Sequence, residues 1–106
     1  MNRISRKHLE SQVATINRML GAPSESYALV GDRYKANIGN YHIGANTPGD
    51  RYGTRFCLQQ TINEGGGVHV VSGTEVCGAQ AFADVLSAMI SGIQAAQEAI
   101  RQTVAA

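Results

Sequence analysis

This 106-residue chain predicts an α+β fold built on an antiparallel sheet, and three observations carry that prediction. Residues Thr54 to Ile62 alternate Phe56, Leu58, Gln60 and Ile62 with Arg55, Cys57, Gln59 and Thr61. A period of two over that length belongs to a strand with one buried face. Near both ends of the chain, apolar residues recur every three or four positions, the period of a helix packed along one side. The glycines cluster between strand-like runs, where turns demand positive φ.

Ser5 to Leu20 reads as the first helix, with Leu9, Val13, Ile16 and Leu20 as its apolar stripe. Ser5 suits an N-cap, Gly21 sits where a terminating glycine belongs, and Pro23 blocks continuation. Arg6, Lys7, Glu10 and Arg18 read as its wet face. Ser26–Val30 and Arg33–Ile38 flank the two-residue connection Gly31-Asp32, a hairpin signature. Gly39-Asn40 marks a bulge or break, and Tyr41-His42-Ile43 resumes the extended pattern. A loop from Gly44 to Gly53 leads into the Thr54–Ile62 strand. Asn63-Glu64-Gly65-Gly66-Gly67 then reverses the chain into Val68, Val70 and Val71. The expected sheet is therefore a meander of about five strands.

The last element is a long helix from about Gly78, with Phe82, Leu86, Met89, Ile93, Ala96, Ile100 and Val104 on one stripe. At 1.5 Å per residue it would run roughly 39 Å, whereas a domain of this size has a radius of gyration of about 13 Å. Such a helix outruns its own sheet. Ala95, Ala96, Ala99 and Ile100 would stand in water unless another subunit covers them, and Gly92 in mid-helix costs about 1 kcal/mol against Ala. A homo-oligomer built from dimers is the expectation.

Composition bounds the rest. The whole chain, 1–106, reads as one domain. A net charge of +1 supplies no global footprint for nucleic acid or an anionic membrane. The basic N-terminus has no apolar run behind it, no stretch is long enough to span a bilayer, and two distant cysteines suit a reducing cytoplasm. Phosphate-loop, dinucleotide-fold and nucleophile-elbow motifs are absent. Cys57 with His69 is a pair to weigh for catalysis, and the sequence shows nothing that would activate the thiol. His42, Cys57, His69 and Cys77 lie singly, without the close pairing of structural zinc ligands. The expectation is no enzyme, no metal and no cofactor.

What remains is a binding constellation around the Gly44–Gly53 loop: Tyr41, Asn46, Thr47, Arg51, Tyr52 and Arg55. Glycine-rich backbone presents several N–H groups to one concavity, and arginine suits a phosphate or carboxylate. Tyrosine offers a face for a base. The competing reading is a solvated hairpin loop, with tyrosines that finish a core.

Ala36-Asn37-Ile38-Gly39-Asn40-Tyr41-His42-Ile43, the run Ile62-Asn63-Glu64-Gly65-Gly66-Gly67-Val68, and the helical Ala88-Met89-Ile90-Ser91-Gly92-Ile93 resemble a recurrent family of small hypothetical tailed-phage proteins. The Gly44–Asp50 loop departs from the tight glycine pair usual there. Small phage α+β oligomers without a catalytic set are similar in general character to anti-defence sponge proteins, an analogy at the level of size, origin and missing catalysis. That analogy implies non-catalytic sequestration of a cyclic nucleotide or cyclic ADP-ribose-type messenger from systems such as Thoeris or CBASS, in the cytoplasm of an infected bacterium. The alternatives are a modulator docking on a host or phage enzyme, and a nucleic-acid accessory protein using Arg3, Arg6, Lys7 and Arg18.

Overall fold

The computed structural model describes residues 4–46, 55–71, 74 and 78–105. The elements run α1 (Arg6–Leu20), β1 (Tyr27–Val30), β2 (Arg33–Ala36), β3 (Tyr41–Asn46), β4 (Arg55–Thr61), β5 (Val68–Val70) and α2 (Ala79–Ala105). All strand pairs are antiparallel, and the fold is α+β. The expected single meander is instead two sheets, a β1–β2 ribbon and a β3–β4–β5 sheet. The break falls at Gly39-Asn40. Gly39 adopts φ 96°, and the Asn40 N–H turns back to the Asn37 carbonyl (3.2 Å) instead of pairing across strands.

The caps of α1 follow the local chemistry. The Ser5 hydroxyl accepts from the His8 N–H (3.1 Å), and Gly21 ends the helix in the left-handed region at φ 67°. Leu9, Val13 and Ile16 are buried as their spacing requires, while the fourth stripe residue, Leu20, is largely exposed at the helix end. In place of Leu20, Asn17 is buried.

The core lies between the helices and one face of the three-stranded sheet. Leu9, Val13 and Ile16 from α1 meet Phe56 and Leu58 from β4 and Phe82, Ala83 and Leu86 from α2. Phe56 and Phe82 stack with centroids 5.8 Å apart. Strand alternation accounts for Phe56 and Leu58, but Cys57 and Thr61 on the opposite face are buried too. Ile62 lies beyond the strand and is exposed. Gln12 Nε2 donates to the Ala83 carbonyl (3.1 Å) and to Ser87 Oγ (2.9 Å), and Gln97 Nε2 donates to the Met19 carbonyl (2.6 Å). These contacts set α1 and α2 alongside each other, running in the same sense.

The Asn63–Gly67 turn forms as its composition predicts. The Asn63 side chain accepts from the Gly67 N–H (2.8 Å), and Gly66 takes φ 90°. Where β5 ends, Thr74 continues its ladder: Thr74 Oγ1 accepts from the Leu58 N–H (3.1 Å) and donates to the Val71 carbonyl (2.7 Å). No helix among the described residues is long and apolar enough to cross a membrane.

Candidate functional site

The cleft that α1 forms with β3 is built from the helix outward. Arg6, Glu10, Val13 and Asn17 follow one another at helical spacing, so one face of α1 supplies a wall. The facing wall comes from Ser24, Ser26 and the Asn40–Ile43 segment. The cleft encloses about 340 Å³, near the lower end of volumes that hold small organic ligands.

Two hydrogen bonds hold that wall in place. The Tyr41 N–H donates to Asn17 Oδ1 (2.8 Å), and Asn17 Nδ2 donates to the Tyr41 carbonyl (2.9 Å). Residues 42, 44 and 46 direct their backbone groups at β4, so Tyr41 points its own outward. The Asn17 amide stands in for a neighbouring strand and anchors the β3 edge to α1.

Next along the wall, Asn40 is 1% exposed and organises its surroundings. Its Nδ2 donates to the Pro23 carbonyl (2.7 Å), and its Oδ1 accepts from Ser26 Oγ (3.0 Å). His42 Nδ1 lies 3.2 Å from the same Oδ1. At the other end, Arg6 Nε donates to Glu10 Oε1 (3.1 Å), with both side chains more than half exposed. An ion pair in that setting is worth about 0–1 kcal/mol, so a phosphate or carboxylate can recruit the guanidinium at small cost.

Of the residues singled out in the sequence, Tyr41 lines this cleft, and its side chain also packs against the core. Thr47, Arg51 and Tyr52 lie outside the described residues, as does the side chain of Asn46. The expected loop begins later than Gly44, since Gly44, Ala45 and Asn46 extend β3 in register with Cys57, Phe56 and Arg55. Arg55 is exposed at the far end of β4, opposite Asn46. Five strand steps, roughly 17 Å, separate that pair from Tyr41, and Arg55 is not among the residues that line this cleft. Cys57 and His69 do not form a dyad. His69 stands beside Gln60 in the ladder, three strand positions from Cys57 and therefore on the other face. Among the described residues, no three His, Cys, Asp or Glu side chains gather as a metal site.

Sequence reasoning passed over Asn17, Ser26 and Asn40 as site residues, weighed His42 only as a zinc-type ligand, and gave Arg6 to a wet face or to a nucleic-acid-binding helix. Asn17 left a signal: it falls four residues after Val13, a polar side chain on the apolar stripe. Asn40 left none, because its partners Pro23, Ser26 and His42 meet only once the chain folds. No family model, curated protein or solved structure matches the chain.

Proposed function

We propose that this chain is a non-catalytic binding protein that captures a small anionic ligand of the nucleotide class in the α1–β3 cleft. The observation that carries the reading is the lining: a weakly paired guanidinium (Arg6), an aromatic ring (Tyr41) and fixed polar groups (Ser26, Asn40, His42) surround one concavity of ligand size. Arg6 and Asn17 stand eleven residues apart on α1, roughly 16 Å. A phosphate at one end and a base or ribose at the other would span such a cleft. Binding without turnover fits the hydrogen-bond pattern, because Ser26 directs its hydroxyl to Asn40 rather than to His42. In its most concrete form, suggested by the phage resemblance, the ligand is a nucleotide messenger of host defence and the protein sequesters it.

Calorimetry against cyclic ADP-ribose isomers, cyclic dinucleotides and AMP tests the reading, followed by heat release and chromatography of the ligand. Binding that weakens about tenfold or more in Arg6→Ala, as loss of a charge-assisted contact predicts, with intact ligand recovered, supports it. Cleaved ligand, or no binding across the panel, overturns it.

A second reading concerns assembly. Leu86, Ile93 and Ile100 recur every seven residues along α2, as do Phe82, Met89 and Ala96. That is the period by which one helix seats against another. The first half of the repeat is covered by α1 and the sheet, whereas Ile100, and Val104 one turn beyond it, are 64% and 80% exposed. A second copy of the same helix, carrying the same repeat, is the occupant this pattern fits, and a homodimer along α2 is the result.

A further inference from the structure

We infer that Asn40 fixes His42 as the Nδ1–H tautomer, so that the cleft is offered a hydrogen-bond acceptor, His42 Nε2, selecting a ligand with a hydroxyl or amino donor at that point. The inference rests on the cleft being a ligand site, and its first step is independent of any ligand. The Pro23 carbonyl can only accept, so the Asn40 atom 2.7 Å from it is the amide nitrogen. That orientation turns the Asn40 carbonyl oxygen toward Ser26 and His42, at 3.0 and 3.2 Å. A carbonyl oxygen has no proton to give, so His42 Nδ1 must carry the one they share. In the neutral ring the proton then resides on Nδ1, and Nε2 keeps its lone pair.

Burial makes the arrangement firm. Asn40 is nearly inaccessible to water, which leaves it no alternative partners and makes an unmatched amide costly. His42 lines the cleft and is half-buried, with its Nδ1 edge against Asn40 and Nε2 on the ring's other edge, away from Asn40. Ser26 strengthens the arrangement, since its hydroxyl also donates to Asn40 Oδ1 and holds the amide from a second side. The cleft then has two ends of opposite demand. Arg6 offers donors suited to phosphate oxygens, and His42 offers an acceptor suited to a ribose hydroxyl or an exocyclic amine. Asn40 acts through His42 and is a positioning residue.

Long-range ¹H–¹⁵N correlation of the histidine rings in the full chain, at a pH where they are neutral, reads the tautomer directly. The expected spectrum has a protonated Nδ1 and an unprotonated Nε2 for His42, while the exposed His8 serves as the unconstrained reference. A His42 spectrum with the proton on Nε2 overturns the inference. Selection is read by calorimetry with AMP and 2′,3′-dideoxy-AMP, which lacks the ribose donors. The expected preference for AMP is about three- to tenfold, the worth of one neutral hydrogen bond. His42→Gln, which keeps an acceptor, should retain most of that preference, and His42→Leu should abolish it. Equal affinities for the two nucleotides in the wild type reject a ribose-hydroxyl role for Nε2. If neither nucleotide binds, the nucleotide reading fails, and the tautomer stands or falls on the spectrum alone.

Discussion

Asn17 and Thr74 do the work of missing strands with single side chains. Each satisfies strand backbone groups that no neighbouring strand reaches. Asn17→Ala leaves both the Tyr41 N–H and C=O without that partner, and at about 1–3 kcal/mol per orphaned group the expected loss is roughly 2–6 kcal/mol. Urea unfolding measures it, with the neighbouring exposed Arg18→Ala expected to change stability by under about 0.5 kcal/mol. Equal midpoints for the two variants would refute the strand-substitute role. Thr74→Val keeps shape but removes the acceptor of the buried Leu58 N–H, for an expected loss of about 1–3 kcal/mol. Thr74→Ser should recover most of it. Gly44 answers to space rather than to φ: a Cβ there would lie 2.6 Å from the Gln59 side chain and 2.8 Å from Cys57 Sγ. Gln59 can swing away, but Cys57 is buried, so Gly44→Ala should cost on the order of 1–3 kcal/mol. Pairing it with Cys57→Ala should return part of that loss, and strict additivity in the double mutant would argue that sulfur is not the obstacle.

At the level of elements, the β1–β2 ribbon stands apart from the rest. It buries only Ala36, while Leu29, Val30 and Tyr34 face solvent. Two strands alone are marginally stable in water. Its described ties to the β4–β5 turn are slight: the Ala36 N–H donates to the Glu64 carbonyl (3.4 Å), and Lys35 pairs with Glu64 (3.0 Å) in an exposed setting worth about 0–1 kcal/mol. By contrast, β4 sits between two strands and under both helices. Hydrogen exchange should therefore show β1–β2 amides opening well below the global free energy, with Leu58 amide protection tracking global unfolding. Ribbon amides as protected as those of β4 would mean that a partner covers the ribbon in solution.

The whole molecule is less compact than its length would allow. Its radius of gyration is 15.7 Å, against about 13 Å for a compact domain of 100 residues. The ribbon and the end of α2 are the described parts that bury little. Under the dimer reading, Ile100→Asp with Val104→Asp places uncompensated charge at the contact and dissociates it. Both side chains are exposed in the single chain, so its own folding is left intact. Ile93 is a poorer probe, because it packs against the core of its own chain. Sedimentation equilibrium at micromolar concentration should find dimer for the wild type and folded monomer for the double variant. A wild-type monomer would refute the assembly.

Local chemistry, read along the chain, determined the two helices, the Ser5 and Gly21 caps, the Gly31-Asp32 hairpin and the Asn63–Gly67 reversal. Each depends on residues within a few positions of one another, through spacing, capping or the φ that a turn requires. Tertiary structure alone decided that the strands divide into two sheets, that Leu20 and Ile62 stay exposed, and that Asn17 is buried. It also decided where a ligand-sized cleft opens. Asn17 shows in the sequence only as a polar residue on an apolar stripe, and its role appears when Tyr41, remote in sequence, brings it two backbone groups to pair. The cleft joins a helix face to a strand edge, and the pairing of polar groups between distant segments leaves no period in the sequence from which to read it.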